Sequence, residues 1–205
     1  MARDRAKTEA KILAAIGDLL VEPAGFRGLG VNAVAERAKV DKVLIYRYFE
    51  GLPGALAAYG AGADLWPGVD EVLGDGGRED DLAAVLGRLV TGYLAALRKR
   101  PATLEIMAWE ACERNPLTDA VRAARKKWEK DVTERVFKDR KVPARIDIQA
   151  VLAILASAVD SLAVRGRVQA ECNGVPLNDD TGWRRIDDAI RQILDGAMLK
   201  ASARS

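Results

Sequence analysis

Residues 38–50, AKVDKVLIYRYFE, place side chains that can bind an anion among apolar ones in one short segment. Lys42 and Arg47 carry positive charge, and Tyr46 and Tyr48 carry hydroxyl groups that donate hydrogen bonds. A helix in a folded core needs only one apolar stripe, yet the apolar residues here continue around the segment. Part of this surface is therefore expected to contact something other than water or the core.

The charge distribution gives a weak indication of an anionic partner near the N-terminus. The 205-residue chain has 32 Lys and Arg against 30 Asp and Glu, a net charge of +2. Residues 1–50 hold nine basic and seven acidic residues, and residues 51–205 hold 23 of each. The whole excess of positive charge thus lies in the first quarter of the chain.

The composition argues against most enzyme designs. The sequence contains no His, which excludes catalysis by imidazole and leaves only carboxylate or Lys chemistry open. Cys112 and Cys172 lack metal-binding spacing and are expected to be reduced thiols of a cytoplasmic protein, with a redox switch as the alternative. We expect no catalytic residue, no metal and no cofactor. No stretch reaches about 18 consecutive apolar residues, so we expect no membrane span.

The spacing of apolar residues predicts an all-α fold of about nine helices. Near the N-terminus it predicts helices over residues 7–21, 31–38 and 42–49, with Asp41 as the N-cap of the third. Two short helices joined by a tight turn are the layout of a helix-turn-helix. At 100° per residue, Ile45 of the third helix points towards the core. The outward residues are Lys42, Val43, Leu44, Tyr46 and Arg47.

Residues 8–59 resemble the DNA-binding segment of the TetR family of bacterial regulators. The matching features are ILAAIGDLL, GF, V-x-x-V-A-x-x-A-x-V and IYRYF, followed by a Gly/Pro break and Leu56. The resemblance implies an N-terminal three-helix DNA-binding domain over residues 1–52. It also implies a C-terminal helical domain over residues 53–205 that binds an effector and dimerises.

The resemblance also implies individual roles on double-stranded operator DNA. Tyr46 and Tyr48 occupy positions that usually contact phosphates, and Lys42, Val43 and Leu44 occupy positions that usually read base edges. We expect Arg47 to grip phosphates beside Lys42 and the two tyrosines.

Four positions depart from the family pattern, and two of them lie at the ends of the second helix. Gly30 stands where a Thr or Ser typically caps the second helix and bonds a phosphate. Lys39 replaces the usual glycine of the turn, where a positive φ would cost a residue with a side chain some energy.

Val43 and Leu44 replace residues that are more often small or polar, so the reading of bases is expected to differ. Neither side chain donates a hydrogen bond, but both can pack against thymine methyl groups in the major groove. The alternative is that Val43 and Leu44 are simply buried in the core of the domain.

Bulky residues on the middle helices are candidates for lining an effector cavity, as the resemblance implies. Aromatic residues at helical spacing are more often plain core, and the single carboxylate of Asp160 is as readily paired or exposed as it is a ligand contact. The abundance of Ala, Leu and Val indicates a small, largely apolar effector. The candidate lining is Trp66, Tyr93, Met107, Trp109, Trp128 and Asp160.

The helices predicted over residues 147–165 and 183–200 have more apolar surface than a small domain hides alone. The resemblance implies that they pair with the same helices of a second copy, and small side chains permit their close approach. Burial of both helices inside one subunit is the competing interpretation. The candidate interface is Ala153, Ala156, Ser157, Ile186, Ile190 and Ile193.

These observations favour a cytoplasmic, homodimeric transcriptional regulator, a repressor released from a pseudo-palindromic operator by a small molecule. Two other classes of protein stay open. One is a small all-α enzyme, and the other is an architectural DNA-binding protein without an effector.

Overall fold

The computed structural model describes residues 2–62, 64–74, 81–138 and 140–202. These residues form ten α-helices and one short antiparallel hairpin, so the expected all-α fold is confirmed. The helices are α1 (Ala2–Leu20), α2 (Val31–Ala38), α3 (Lys42–Phe49), α4 (Leu52–Gly62), α5 (Val69–Leu73), α6 (Leu82–Arg98), α7 (Pro101–Glu110), α8 (Pro116–Phe137), α9 (Ile148–Arg165) and α10 (Asp180–Ser202).

Two small elements were not anticipated from the sequence. Helix α5 has five residues, too few to show a helical period. Strand β1 (Glu171–Cys172) pairs with strand β2 (Val175–Pro176) across a turn in which Asn173 and Gly174 have φ values of 50° and 72°. An Asn-Gly pair with two positive φ values is the preferred turn for a two-residue hairpin, but each strand is too short to show alternation.

The chain forms two compact units, each made of two segments. The first unit comprises Met1–Trp66 and Arg100–Lys126, and the second comprises Pro67–Lys99 and Lys127–Ser205. Compactness therefore does not divide the chain between residues 52 and 53, because α4 and α7 pack with the N-terminal helices. A functional division at that point stays a prediction.

The first unit is built around α1. Its residues Ile12, Ile16 and Leu20 are fully buried, and α1 packs against α2, α4 and α7. Removing each of these side chains from water contributes about 1.5–3 kcal/mol. The same core receives Ile45 of α3, which has no exposed surface. This burial holds α3 by one side and leaves its opposite side free.

The second unit is built around α6, which packs against α5, α9 and α10. Leu86, Leu94 and Leu97 of α6 are almost completely buried. Gly92 lies so close to α5 that a Cβ atom would overlap the carbonyl oxygen of Val72. Glycine is therefore needed at this contact between helices.

Helix α9 is the one described helix long and apolar enough to cross a membrane by length and composition. Only 22% of its 18-residue span is buried. An apolar helix with this much accessible surface is expected to have a further packing partner.

Candidate functional site

The turn between α2 and α3 is held by backbone and side-chain hydrogen bonds. Lys39 ends α2 in the left-handed conformation with φ 54° and ψ 49°, as the sequence suggested for this position. The N–H of Val40 donates to Ala35 O at 3.0 Å. Asp41 then caps α3, because its Oδ1 accepts from the N–H of Val43 at 2.8 Å. The first turn of α3 is therefore fixed in direction.

The end of α3 is fixed by a sharp return of the chain. Glu50 and Gly51 both have positive φ, 61° and 109°. A Cβ atom on Gly54 would overlap the carbonyl oxygen of Phe49, so the first turn of α4 passes directly against the last residue of α3. Together with the Asp41 cap, this contact gives α3 a defined position in the first unit.

The outer side of α3 is accessible along its length. Lys42 and Arg47 are exposed, and Val43 and Tyr46 are 53% and 55% exposed. Leu44 is only half-buried, so it contributes to the packing of the unit as well as to the surface. The structure thus places four of the five outward residues on one open surface, which we call the α3 face: Lys42, Val43, Tyr46 and Arg47.

Tyr48 lies at the edge of the α3 face and is half-buried. The guanidinium carbon of Arg5 lies 5.1 Å from the centre of the Tyr48 ring, and Arg5 Nε contacts Glu9 Oε1 at 2.7 Å. The pKa of Arg5 is raised, chiefly by the hydrogen bond to Glu9. The sequence analysis did not identify Arg5, because its link to Tyr48 joins residues 43 positions apart in the chain.

Gly30 begins α2 without a side-chain cap, as the sequence implied. Its φ and ψ are −153° and 155°, an extended conformation open to any residue. A Cβ atom added there would meet nothing within 4 Å. The space for a capping side chain therefore exists, although glycine does not supply one.

The segment before α2 is tied to α7 by one carboxylate. Glu105 Oε1 accepts from the N–H of Phe26 at 2.8 Å and from Trp109 Nε1 at 3.1 Å. The rings of Phe26 and Trp109 lie 5.4 Å apart. Gly25 has φ 50°, and a Cβ atom there would overlap Glu105. These contacts fix the path of the chain between α1 and α2.

The second unit contains a cavity of about 680 Å³ between α6, α8, the connection after α8 and α9. Tyr93 and Trp128, two of the six candidate lining residues, border it, and their rings stack with centres 4.8 Å apart. The Tyr93 hydroxyl donates a hydrogen bond to Asp160 Oδ1 at 2.8 Å, and Asp160 itself is not among the described lining residues. Trp128 Nε1 is buried and has no acceptor among the described residues.

The other three candidate lining residues belong to the first unit. Met107 is buried there, and Trp109 packs against Phe26. Trp66 is buried beneath Arg125, whose guanidinium carbon lies 4.9 Å from the ring centre. The first unit therefore uses these three side chains in its own packing.

The candidate interface residues occupy three different environments. Ala153 and Ala156 border the cavity, and Ser157 and Ile193 are exposed. Ile186 and Ile190 of α10 differ from the expectation, because they are buried within the second unit, where α10 packs on α6. Ile154 was not anticipated, although it is 70% exposed in the middle of α9.

The chain is similar to known proteins in sequence over residues 12–51 and in fold over most of its length. Residues 12–51 match the family model of the bacterial regulatory proteins of the tetR family. A solved structure, that of the fatty acid degradation regulator FadR from Bacillus halodurans, aligns with a TM-score of 0.54 and 15% identity. The alignment covers 91% of this chain and 94% of that chain. No curated protein sequence matches this chain.

Proposed function

We propose that this chain, a member of the TetR family of bacterial transcriptional regulators, binds a pseudo-palindromic operator as a homodimer. It acts in the cytoplasm as a repressor, and a small, largely apolar effector releases it from the DNA. The single observation that carries this proposal is the α3 face. Lys42, Val43, Tyr46 and Arg47 are exposed on a helix whose other side is anchored by Ile45.

The α3 face suits the major groove of double-stranded DNA. Lys42 and Arg47 neutralise phosphates, and the hydroxyl of Tyr46 donates a hydrogen bond to a phosphate oxygen. Val43 offers methyl groups to the methyl group of thymine. In a dimer, two copies of α3 enter successive major grooves about 34 Å apart, which explains the two-fold symmetry of the proposed operator.

The proposed dimer interface is the exposed stripe of α9. Ile154, Ser157, Ala158 and Ser161 share one side of the helix and are exposed. At 100° per residue this stripe points roughly 140° away from the side formed by Gln149, Leu152, Ala153 and Ala156, which borders the cavity. One helix can therefore serve the interface and the cavity with different faces. Ile193 of α10 adds a further exposed apolar side chain.

The dimer is tested by light scattering after size exclusion. Ile154→Arg places a charge in the proposed interface and is expected to make the chain monomeric. The monomer should no longer bind both half-sites of the operator at once. Val168→Arg is the matched control, because Val168 is 83% exposed and lies outside α9. A dimer that survives Ile154→Arg unchanged excludes this interface. Recovery of the wild-type chain only with membranes favours a lipid partner for α9 instead.

Operator binding is tested by gel shift on the DNA upstream of the protein's own coding sequence, at several stated salt concentrations. Lys42→Ala is expected to weaken binding to all sequences and to lower the slope of log K against log salt by about 1. Lys127→Ala on α8 controls for the loss of one exposed charge. Absence of any shift at low salt would refute the proposal and reopen the enzyme alternative. Equal binding to every fragment favours the architectural alternative.

Base reading is tested with operators in which T:A pairs are replaced one at a time. Val43→Ala is expected to reduce discrimination for T:A pairs, each worth about 1–3 kcal/mol, with little effect on non-specific binding. Leu44→Ala should have the same effect together with some loss of stability, since Leu44 is half-buried. Equal losses on all sequences would contradict thymine reading.

A reporter gene placed downstream of the operator distinguishes repression from activation.

The proposed effector site is the cavity of the second unit. Its volume of about 680 Å³ lies in the range of small-molecule sites, and most of its lining residues are apolar. The structurally similar protein is a fatty acid degradation regulator, but at 15% identity that likeness shows the fold alone. The chemistry of the effector therefore has to come from the side chains of this chain.

A further inference from the structure

We propose that the cavity of the second unit selects a cationic amphiphile, a molecule with an apolar body and one positive charge, and rejects fatty carboxylates. This inference rests on the proposed function only in treating the cavity as the effector site. The charges of its lining residues and the Tyr93–Asp160 bond carry it. The described lining contains two carboxylates, Glu129 and Asp147, and no Lys or Arg.

The interior of the cavity suits an apolar body. Val132 and Ile148 are buried, and Phe137 and Leu152 are half-buried beside them. Moving an alkyl chain from water into such a site is favourable in proportion to the area buried, whatever the headgroup. The apolar walls therefore set the affinity for the body of the ligand and leave the headgroup to be selected by charge.

The polar residues of the cavity favour a positive headgroup. Glu129 and Asp147 are both exposed, which places them at the solvent side of the cavity. Thr133 and Gln149 complete the polar lining and are neutral. A carboxylate or phosphate bound here would be repelled by two like charges and would find no cation among the described lining residues. A quaternary ammonium group would meet two carboxylates of opposite charge.

The aromatic wall points to the same preference. The ring faces of Tyr and Trp carry negative partial charge and attract cations. The Tyr93 hydroxyl donates a hydrogen bond to Asp160 Oδ1 at 2.8 Å, which makes the ring more electron-rich. Tyr93 and Trp128 both border the cavity, and their stacking with centres 4.8 Å apart leaves the outer face of each ring for a ligand. The two lining carboxylates and the two aromatic rings thus favour the same headgroup charge.

The test compares three probes that share a ten-carbon chain: decyltrimethylammonium, decan-1-ol and decanoate. Their affinities for the full chain are measured by isothermal titration calorimetry without DNA, below any micelle concentration. We expect the cation to bind at least about tenfold tighter than decanoate, a difference of about 1.4 kcal/mol, with the alcohol between them. Equal or tighter binding of decanoate would overturn the inference, as would the absence of binding by all three probes.

Charge-neutral variants attribute the selectivity to the cavity. Glu129→Gln keeps the shape of the side chain, and Asp147→Asn keeps the cap of α9, where Asp147 Oδ1 accepts from the N–H of Ala150 at 2.9 Å. Both variants are expected to lower the ratio of the affinity for decyltrimethylammonium to the affinity for decanoate. Glu134→Gln on α8 removes an exposed charge outside the lining and should leave the ratio unchanged. A ratio that is the same in all three variants contradicts the assignment.

Gel shifts with the same probes separate this inference from the proposed function. If decyltrimethylammonium binds selectively and also releases the operator, both stand. If it binds selectively without releasing the operator, the ligand class is correct and the cavity is not the regulatory site. If the operator shift is intact and no probe binds, the DNA-binding proposal survives and the ligand class is wrong.

Discussion

Glu105→Ala is expected to destabilise the first unit strongly, because one carboxylate serves two buried or half-buried donors. Glu105 Oε1 accepts from the N–H of Phe26 at 2.8 Å and from Trp109 Nε1 at 3.1 Å. A hydrogen bond to a charged group contributes about 1.5–3 kcal/mol, and partial exposure of Glu105 favours the lower end. Loss of both bonds should lower the free energy of unfolding by about 2–4 kcal/mol.

The assay is urea unfolding followed by far-UV circular dichroism, with the slope against denaturant checked for constancy. Glu105→Gln is the matched variant, because the amide oxygen still accepts a hydrogen bond and only the charge is lost. It should lose about 1 kcal/mol. If Glu105→Ala unfolds within about 0.5 kcal/mol of the wild type, the carboxylate does not hold the segment before α2. The reasoning about how that segment is positioned would then be refuted.

Three further changes test separate parts of the structure. Gly30→Ser supplies the missing cap and a phosphate donor, so operator affinity in gel shifts should rise about two- to tenfold, whereas Gly30→Ala should give no gain. Gly92→Ala displaces the carbonyl oxygen of Val72 and should lower the free energy of unfolding in urea by about 1–3 kcal/mol. Gly196→Ala is the control, because an added Cβ atom meets nothing within 4 Å, and it should raise that free energy by up to about 1 kcal/mol. Burial raises the pKa of the Asp187 carboxyl in the folded chain above its ordinary value of 3.8. Between these two pKa values the unfolded chain releases the proton more readily than the folded chain, so the free energy of unfolding falls as the pH rises. Asp187→Asn should therefore unfold at a higher temperature than the wild type at pH 7 and at the same temperature below about pH 4; a lower melting temperature at pH 7 would contradict this sign.

The helix-turn-helix could be predicted from the sequence because its determinants are local. Asp41 lies one residue before the helix that it caps, and Lys39 occupies the turn position that requires positive φ. The apolar period of α1 and α2 directs their side chains to one core without knowledge of any distant residue. Signals between residues this close in the chain can be recognised in a single sequence.

The lining of the cavity could not be predicted in the same way, because it depends on which distant helices meet. Tyr93 and Trp128 both border it, but Trp109, a similar residue on a similar helix, packs against Phe26 instead. The apolar stripe of α10 is equally ambiguous. The stripe predicts that Ile190 is buried, but only the contact between α10 and α6 shows that it is buried within the same chain.

Linkage between ligand binding and operator binding limits how the proposed effector could act. A ligand that binds both conformations equally shifts nothing, however tightly it is held by the apolar walls. A ligand that prefers the conformation unable to bind the operator by about 100-fold weakens operator affinity by the same factor, about 2.7 kcal/mol. By reciprocity, the operator must weaken ligand binding equally.

An effector of this kind must alter contacts that differ between the two conformations. The Tyr93–Asp160 bond joins α6 to α9, and α9 carries the proposed dimer stripe. A displacement of Tyr93 by a bound cation would thus act directly on the helix that carries this stripe.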